Sequence, residues 1–315
     1  MRRWWQDLTD LVLPAECGGC GRPRTVLCPE CRAALHGGAP RRVRPVPEPV
    51  GLPVVHAAAA YEGAVRAALL AHKERGVLTL AGPLGTALAG AVRAGLVAIG
   101  PEAGRAAVHV GAVPCGAGRE AGRADGRSGA SGNGGGQGPV LLVPVPSSRR
   151  AVRARGHDPT RRIALAAAGE LRRCGTAARV AAVLRQRRAV ADQSGLNSRQ
   201  RLANLAGALE VAGGGGRLLA DAPVVLVDDL MTTGASLAEA ARAVRDALAV
   251  ARTADTDVYV RGTGEATGEQ RAEQRTATTY WMRAPREMTA GNGLGDRIRA
   301  AVVAASPESF EINRN

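Results

Sequence analysis

This chain of 315 residues predicts an α/β fold: a mainly parallel sheet flanked by helices, preceded by a small four-cysteine element. Three observations carry that expectation. Short apolar runs suited to strands alternate with helical patterns, the arrangement that builds parallel sheets. One run, VVLV at residues 224–227, is unbroken and branched, as a strand buried on both faces requires. It leads through DDLMTTGAS into LAEAARAVRDAL, which has the period of an amphipathic helix. Two Cys-x-x-Cys pairs stand near the start of the chain.

Length alone suggests about two domains, a count that insertions inflate. The boundaries read from the sequence are 1–50 for an N-terminal helix and the cysteine element, and 51–315 for the α/β domain. Of the 42 lysines and arginines only Lys73 is a lysine, and the net charge is +14. Such a charge fits nucleic acid, polyanionic small substrates, or arginine standing in for lysine on solvated faces; charge does not choose among them.

Residues 1–13 place Trp4, Trp5, Leu8, Leu11 and Val12 near helical spacing. Asp7 and Asp10 break the apolar core that a signal peptide needs, so a docking helix is expected. Cys17, Cys20, Cys28 and Cys31 follow, as two pairs separated by seven residues. Four thiolates from two tight turns complete a closed tetrahedral zinc shell, which leaves no open position and is structural. The metal would staple a segment too small to bury a core of its own. Disulfides or redox thiols are the alternative, disfavoured without a secretory signal. Cys115 and Cys174 stand alone.

A Pro- and Arg-rich linker over 40–53 leads to a strand ending near Tyr61 and a helix ending near Lys73. A lone lysine where every other cation is arginine suggests a need for a compact ammonium; chance retention at a helix end explains it equally well. The alanine-rich run from Val77 is interrupted by Pro83, glycines and Arg93, so no membrane span is expected and a cytoplasmic location is. Residues 101–139, rich in Gly, Ala and Arg, read as a disordered insertion.

Residues 140–143 read as a short strand running into Pro144. Arg149, Arg150, Arg153 and Arg155 then cluster around a turn, where paired hydrogen bonds to pyrophosphate oxygens or a solvated basic face are equal readings. A helix starts around Pro159. A strand over 180–184 precedes QSGL at 193–196, a mobile basic loop with Arg199, Arg201 and Asn204 beyond it, suited to closing over a reactive diphosphate. After a helix ending near Val250, residues 251–297 read as a second insertion, and 300–305 as a last buried strand.

The chemistry centres on residues 228–236. Backbone N–H groups at a helix start carry partial positive charge, so the turn around Thr233, Gly234, Ala235 and Ser236 suits a phosphate. Gly234 allows close approach, and the hydroxyls of Thr232, Thr233 and Ser236 add donors without bulk. Asp228 and Asp229 would repel that phosphate, so they suit neutral hydroxyls beside it; a phosphorylated sugar offers both kinds of group. The glycine spacing and lysine of a Walker loop are absent.

An apolar strand, two acidic residues, two variable residues, Thr-Thr-Gly, a small residue and Ser together resemble the phosphoribosyl pyrophosphate loop of type I phosphoribosyltransferases. With the four cysteines, the segment from Tyr61 to Lys73, PVPSSRRAVRARG and QSGLNSRQRLAN, the chain resembles the ComF, or GntX-like, family of phosphoribosyltransferase-like proteins. The family usually has an aromatic residue, Asn and Gln after the glycine, where RGHDP stands at 155–159.

The resemblance implies that Asp228 and Asp229 hold ribose hydroxyls and that Met231, Thr232, Thr233, Gly234, Ala235 and Ser236 form the 5-phosphate loop. It implies magnesium accompanying the substrate, with Lys73 near the pyrophosphate. Lys73, Arg149, Arg155 and Arg199 are expected to meet leaving-group charge, and Asp228, Asp229, Lys73 and Arg199 are the expected catalytic residues. Competence and DNA uptake are the implied setting. The acceptor of the phosphoribosyl group is not readable. A scaffold or nucleotide sensor without turnover, binding DNA through its basic surface, is the other class that the sequence leaves open.

Overall fold

The computed structural model describes residues 16–97, 138–188, 190, 197–220, 222–261 and 298–310. The expected N-terminal helix, the 193–196 loop and most of both expected insertions lie outside those residues. Helix α1 (Pro29–His36) starts with proline in its first turn, where a missing N–H is no loss. Strands β1 (Arg41–Val43) and β2 (Val55–Ala60) follow, then helices α2 (Gly63–Lys73) and α3 (Ala81–Val97). Beyond the first gap come β3 (Val140–Pro144), α4 (Arg149–Arg155), α5 (Pro159–Arg173), β4 (Ala178–Val180) and β5 (Leu184–Gln186). The chain closes with α6 (Ser198–Leu205), β6 (Leu209–Val211), α7 (Gly215–Ala220), β7 (Val224–Met231), α8 (Ala235–Arg261) and β8 (Ile298–Ala305).

The main sheet runs β1-β2-β8-β7-β3-β4. Only β1 is antiparallel to its neighbour; the other pairings are parallel. Side chains of β7 alternate between two cores. Val225 and Val227 join α3, α5 and the cysteine element, while Val224 and Leu226 join α8 and the β5–β6 hairpin. This two-sided burial is what the unbroken apolar run foretells.

Four elements depart from expectation. The strand expected at 224–227 continues through the acidic pair to Met231, because β8 runs alongside to pair Leu230 with Ala304 and Met231 with Ala305. The stretch 180–184 is two strands rather than one: Val183 N–H donates to Ala181 C=O, a tight i to i+2 turn that sends β5 out of the main sheet to pair with β6. The arginine cluster at 149–155 is helical, capped by the Ser148 hydroxyl accepting from Ala151 N–H and ended by Gly156 at φ +74°. Helix α8 runs on to Arg261, past the expected end near Val250.

Alanine and glycine let the layers approach closely. Leu84, Leu88 and Val92 of α3 are buried, and the apolar stretch Leu78–Val97, long enough by composition to span a bilayer, has half its length inside this core. A Cβ at Gly85 would stand 2.8 Å from Ala167 N and 2.9 Å from the carbonyl carbon of Ala166, so α3 rests on the backbone of α5. Gly169 of α5 meets only arginine side-chain ends, at 3.8 Å or more. Gly85→Ala is therefore expected to lower unfolding stability by about 1–3 kcal/mol despite its better helix propensity. Gly169→Ala is expected to raise it by up to about 1 kcal/mol. Urea unfolding of both variants checks the contrast.

Candidate functional site

The chain leaves β3 toward β4 and leaves the adjacent β7 toward β8 on its other side. That reversal of winding opens a crevice at the carboxyl ends of β3 and β7, the place where open α/β sheets take ligands. Residues 228–236 end β7 and begin α8 at this point.

Gly234 has φ +73°, a left-handed conformation that glycine adopts without strain, and its carbonyl accepts from Ala238 N–H to open α8. Pro45 and Leu52 of the segment joining β1 to β2 lie over Gly234, 3.2 Å from where a Cβ would stand. Thr232 is exposed, and Thr233 and Ser236 are half-buried. Met231 and Ala235 are buried.

Asp229 is 4% exposed and accepts from Lys73 Nζ at 2.8 Å. Asp228 accepts from the N–H of Asp229 at 2.8 Å and from the Thr160 hydroxyl at 3.4 Å. Thr160 lies in the first turn of α5, where backbone dipoles favour a carboxylate. Burial and then the neighbouring Asp229 charge hold the Asp228 carboxyl well above the usual aspartate range, with Lys73 opposing. For Lys73, burial works to lower the ammonium, but the charges of Asp229 and Asp228 outweigh it and the net shift is upward.

Beside this pair the C-terminal turn of α2 meets the RGHDP segment. Arg155 holds Glu74 through Nη2 at 2.7 Å and Nε at 3.1 Å. His72 is fully buried; its Nδ1 lies 3.2 Å from the Val77 carbonyl, and its ring stands edge-on to His157 at 5.8 Å. Burial depresses the His72 imidazolium, so the neutral ring is favoured. The lone lysine thus does reach the acidic pair, and Arg155 stands near it, already engaged by Glu74. Arg149 and Arg199 are exposed. The arginine of α6 that reaches the loop is Arg201, whose Nη1 donates to the Thr232 hydroxyl at 3.3 Å. The sequence placed Arg201 just beyond the 193–196 loop without choosing it, and carried no sign of Thr160, His72 and Glu74, which meet the site through Asp228, His157 and Arg155.

A separate groove of about 640 Å³ lies between the β5–β6 hairpin and α8, lined by Arg187, Glu210, Arg217 and Asp246 among others. It contains none of the residues expected at the site.

The sulfur atoms of Cys17, Cys20, Cys28 and Cys31 lie within 4.8 Å of one another, and those of Cys20 and Cys28 are 3.6 Å apart. Zinc–sulfur bonds of about 2.3 Å in a tetrahedron place sulfurs roughly 3.8 Å apart, so the cluster fits a structural metal such as zinc. Cys17 N–H donates to Arg22 C=O at 2.7 Å, and Gly21 N–H to Cys17 C=O at 2.9 Å, closing the first turn; Cys28 caps α1 and presents the second pair. A Cβ at Gly19 would meet Cys31 Sγ at 2.7 Å. Burial raises the Cys17 thiol, but N–H donors from Cys28, Cys20 and Gly19 overcome that and bring it to about 6. Cys17, Cys28 and Cys31 share a core with α2 and α3, so this element is packed on the sheet domain.

The sequence matches no protein-family model and no curated protein.

Two measurements bear on this geometry. Elemental analysis is expected to find about one zinc per chain, reduced in Cys17→Ser, with chelation lowering the melting temperature. Metal absent from both proteins contradicts the assignment. For Asp228, the folded chain binds the carboxyl proton more tightly than the unfolded chain does. Stability therefore falls as pH rises from the ordinary aspartate value through the raised one. Asp228→Asn keeps an acceptor for both donors and removes the charge. It is expected to melt higher than the unliganded wild type at about pH 8, the gap closing toward about pH 4.

Proposed function

We propose that the crevice binds phosphoribosyl pyrophosphate with magnesium, and that the chain is a phosphoribosyltransferase-like protein of the ComF type, transferring phosphoribose to an acceptor with release of pyrophosphate. One observation carries this reading: the Lys73–Asp229 ion pair joins the chain's single lysine to the acidic pair at the sheet's switch point, two strand residues before the hydroxyl-rich loop.

In this reading the N–H groups opening α8 and the hydroxyls of Thr232, Thr233 and Ser236 bind the 5-phosphate. Asp228 and Asp229 accept hydrogen bonds from the ribose hydroxyls, Asp228 being held in place by Thr160 and by the Asp229 N–H. Departure of pyrophosphate breaks the bond from the anomeric carbon to oxygen and leaves positive charge on the sugar, which the carboxylates stabilise. The acceptor's electron pair then forms the new bond at that carbon. Lys73 and Arg155 meet the leaving group by exchanging Asp229 and Glu74 for diphosphate oxygens. Magnesium would be held mostly by substrate oxygens and water, with Asp228 and Asp229 as hard donors nearby, and would supply neutralisation of the diphosphate. Positioning and fixed charge do the rest.

Calorimetric titration of phosphoribosyl pyrophosphate with magnesium is the test. Saturable binding by the wild type, lost in the Asp228→Asn, Asp229→Asn double variant, is the expected result. No binding to well-folded wild type refutes the reading.

A further inference from the structure

Arg201 has a different standing from the other cations of the crevice. Lys73 is paired with Asp229 and Arg155 with Glu74. Arg201 bonds only a neutral hydroxyl, that of Thr232 at 3.3 Å, and its Nε is buried without a partner among the described residues. A buried guanidinium N–H without an acceptor is unfavourable, and a guanidinium fork is built for paired phosphate oxygens.

The helix that carries it is fixed at both ends. Asn197 and Gln200 form a reciprocal capping box at its start, each bond 2.9 Å. Arg188 Nη2 holds the carbonyls of Asn204 and Ala206 at its end, at 2.8 and 2.9 Å. Leu205, one turn after Arg201 on the same face, is buried. Arg201 is thus held against the loop by a braced helix.

Its position is also distinct. Thr232 is three residues beyond Asp229, roughly 10 Å along extended chain. Cationic groups therefore stand at two poles, Lys73 and Arg155 at one and Arg201 at the other, with the acidic pair adjoining the first. We infer that Arg201 is a binding residue for the 5-phosphate seated on the Thr232–Ser236 turn, and takes no part in holding the leaving pyrophosphate. This rests on the reading of the crevice as a phosphoribosyl pyrophosphate site.

The test is calorimetry of wild type, Arg201→Gln and Arg201→Lys with three probes: phosphoribosyl pyrophosphate with magnesium, ribose 5-phosphate, and magnesium pyrophosphate. Arg201→Gln is expected to weaken both ribose phosphates roughly ten- to hundredfold, the loss of one charge-assisted contact, while changing pyrophosphate affinity less than about twofold. Arg201→Lys is expected to recover part of the loss. Weakened pyrophosphate binding, or equal loss for all probes, overturns the assignment, as does unchanged affinity for every probe. Those outcomes leave the wild-type site intact, whereas a wild type that binds none of the probes removes the crevice reading together with this one.

Discussion

A carboxylate taken out of water at the end of a strand buried on both faces must be given a counter-charge, and Asp229 depends on that condition. Leaving it unpaired would cost several kcal/mol, so its partner is constrained almost as tightly as a core residue. That partner is Lys73, from a helix 156 residues earlier, at 2.8 Å. The bond ties α2, the first helix of the sheet domain, to the last α/β unit, and brings Glu74 and His72 with it. Glu74 then engages Arg155, so that two ion pairs close the same corner of the crevice.

The architecture around this corner follows from small side chains. Strands β2 and β8 are rich in alanine, and α3 and α5 meet through Gly85 with backbone contact. Close layers with little side-chain bulk leave few atoms to fix the ends of the strands, so capping and ion pairing do that instead. Ser148 and Asp158 cap the two helices after β3, and Thr160 bonds Asp228 from the first turn of the second. The cysteine element covers the same helical layer: Gly18 abuts Leu80, and Gly19 abuts Cys31 and Ala64. Its apolar residues complete a core that α2 and α3 leave open on that side.

Much of this was legible in local pattern. The β7 run, the helix after it and the two cysteine pairs each have a period or spacing that favours one physical reading over its alternatives. The acidic pair and hydroxyl turn marked the end of the sheet where a ligand would lie. What local pattern could not carry was the choice among arginines. Arg149, Arg155, Arg199 and Arg201 are alike in sequence, yet one is engaged by Glu74, one reaches Thr232 and two are exposed. Glu74 and Thr160 carry no motif; Glu74 is brought in by the bond of its neighbour Lys73 to Asp229, and Thr160 by the packing of α5 beside β7. The split of 180–184 into two strands turned on one backbone bond, Val183 to Ala181, between residues that read equally well as strand.

The two ion pairs also bear on how an anion would enter. Lys73 and Arg155 are each paired with a carboxylate of this chain, so a diphosphate binding to these two would have to exchange with Asp229 and Glu74. In the proposed reading such an exchange would bring the diphosphate's negative charge beside Asp229 and Glu74, which accompanying magnesium would offset, and would leave Asp229 to accept from a neutral hydroxyl. A ligand carrying both groups, an anion and an adjacent diol, satisfies the displaced carboxylate as it displaces it. Inorganic anions alone would leave Asp229 buried and unpaired. In the proposed reading the corner would discriminate for a phosphorylated sugar over simple phosphate, through the same buried carboxylate that ties α2 to β7.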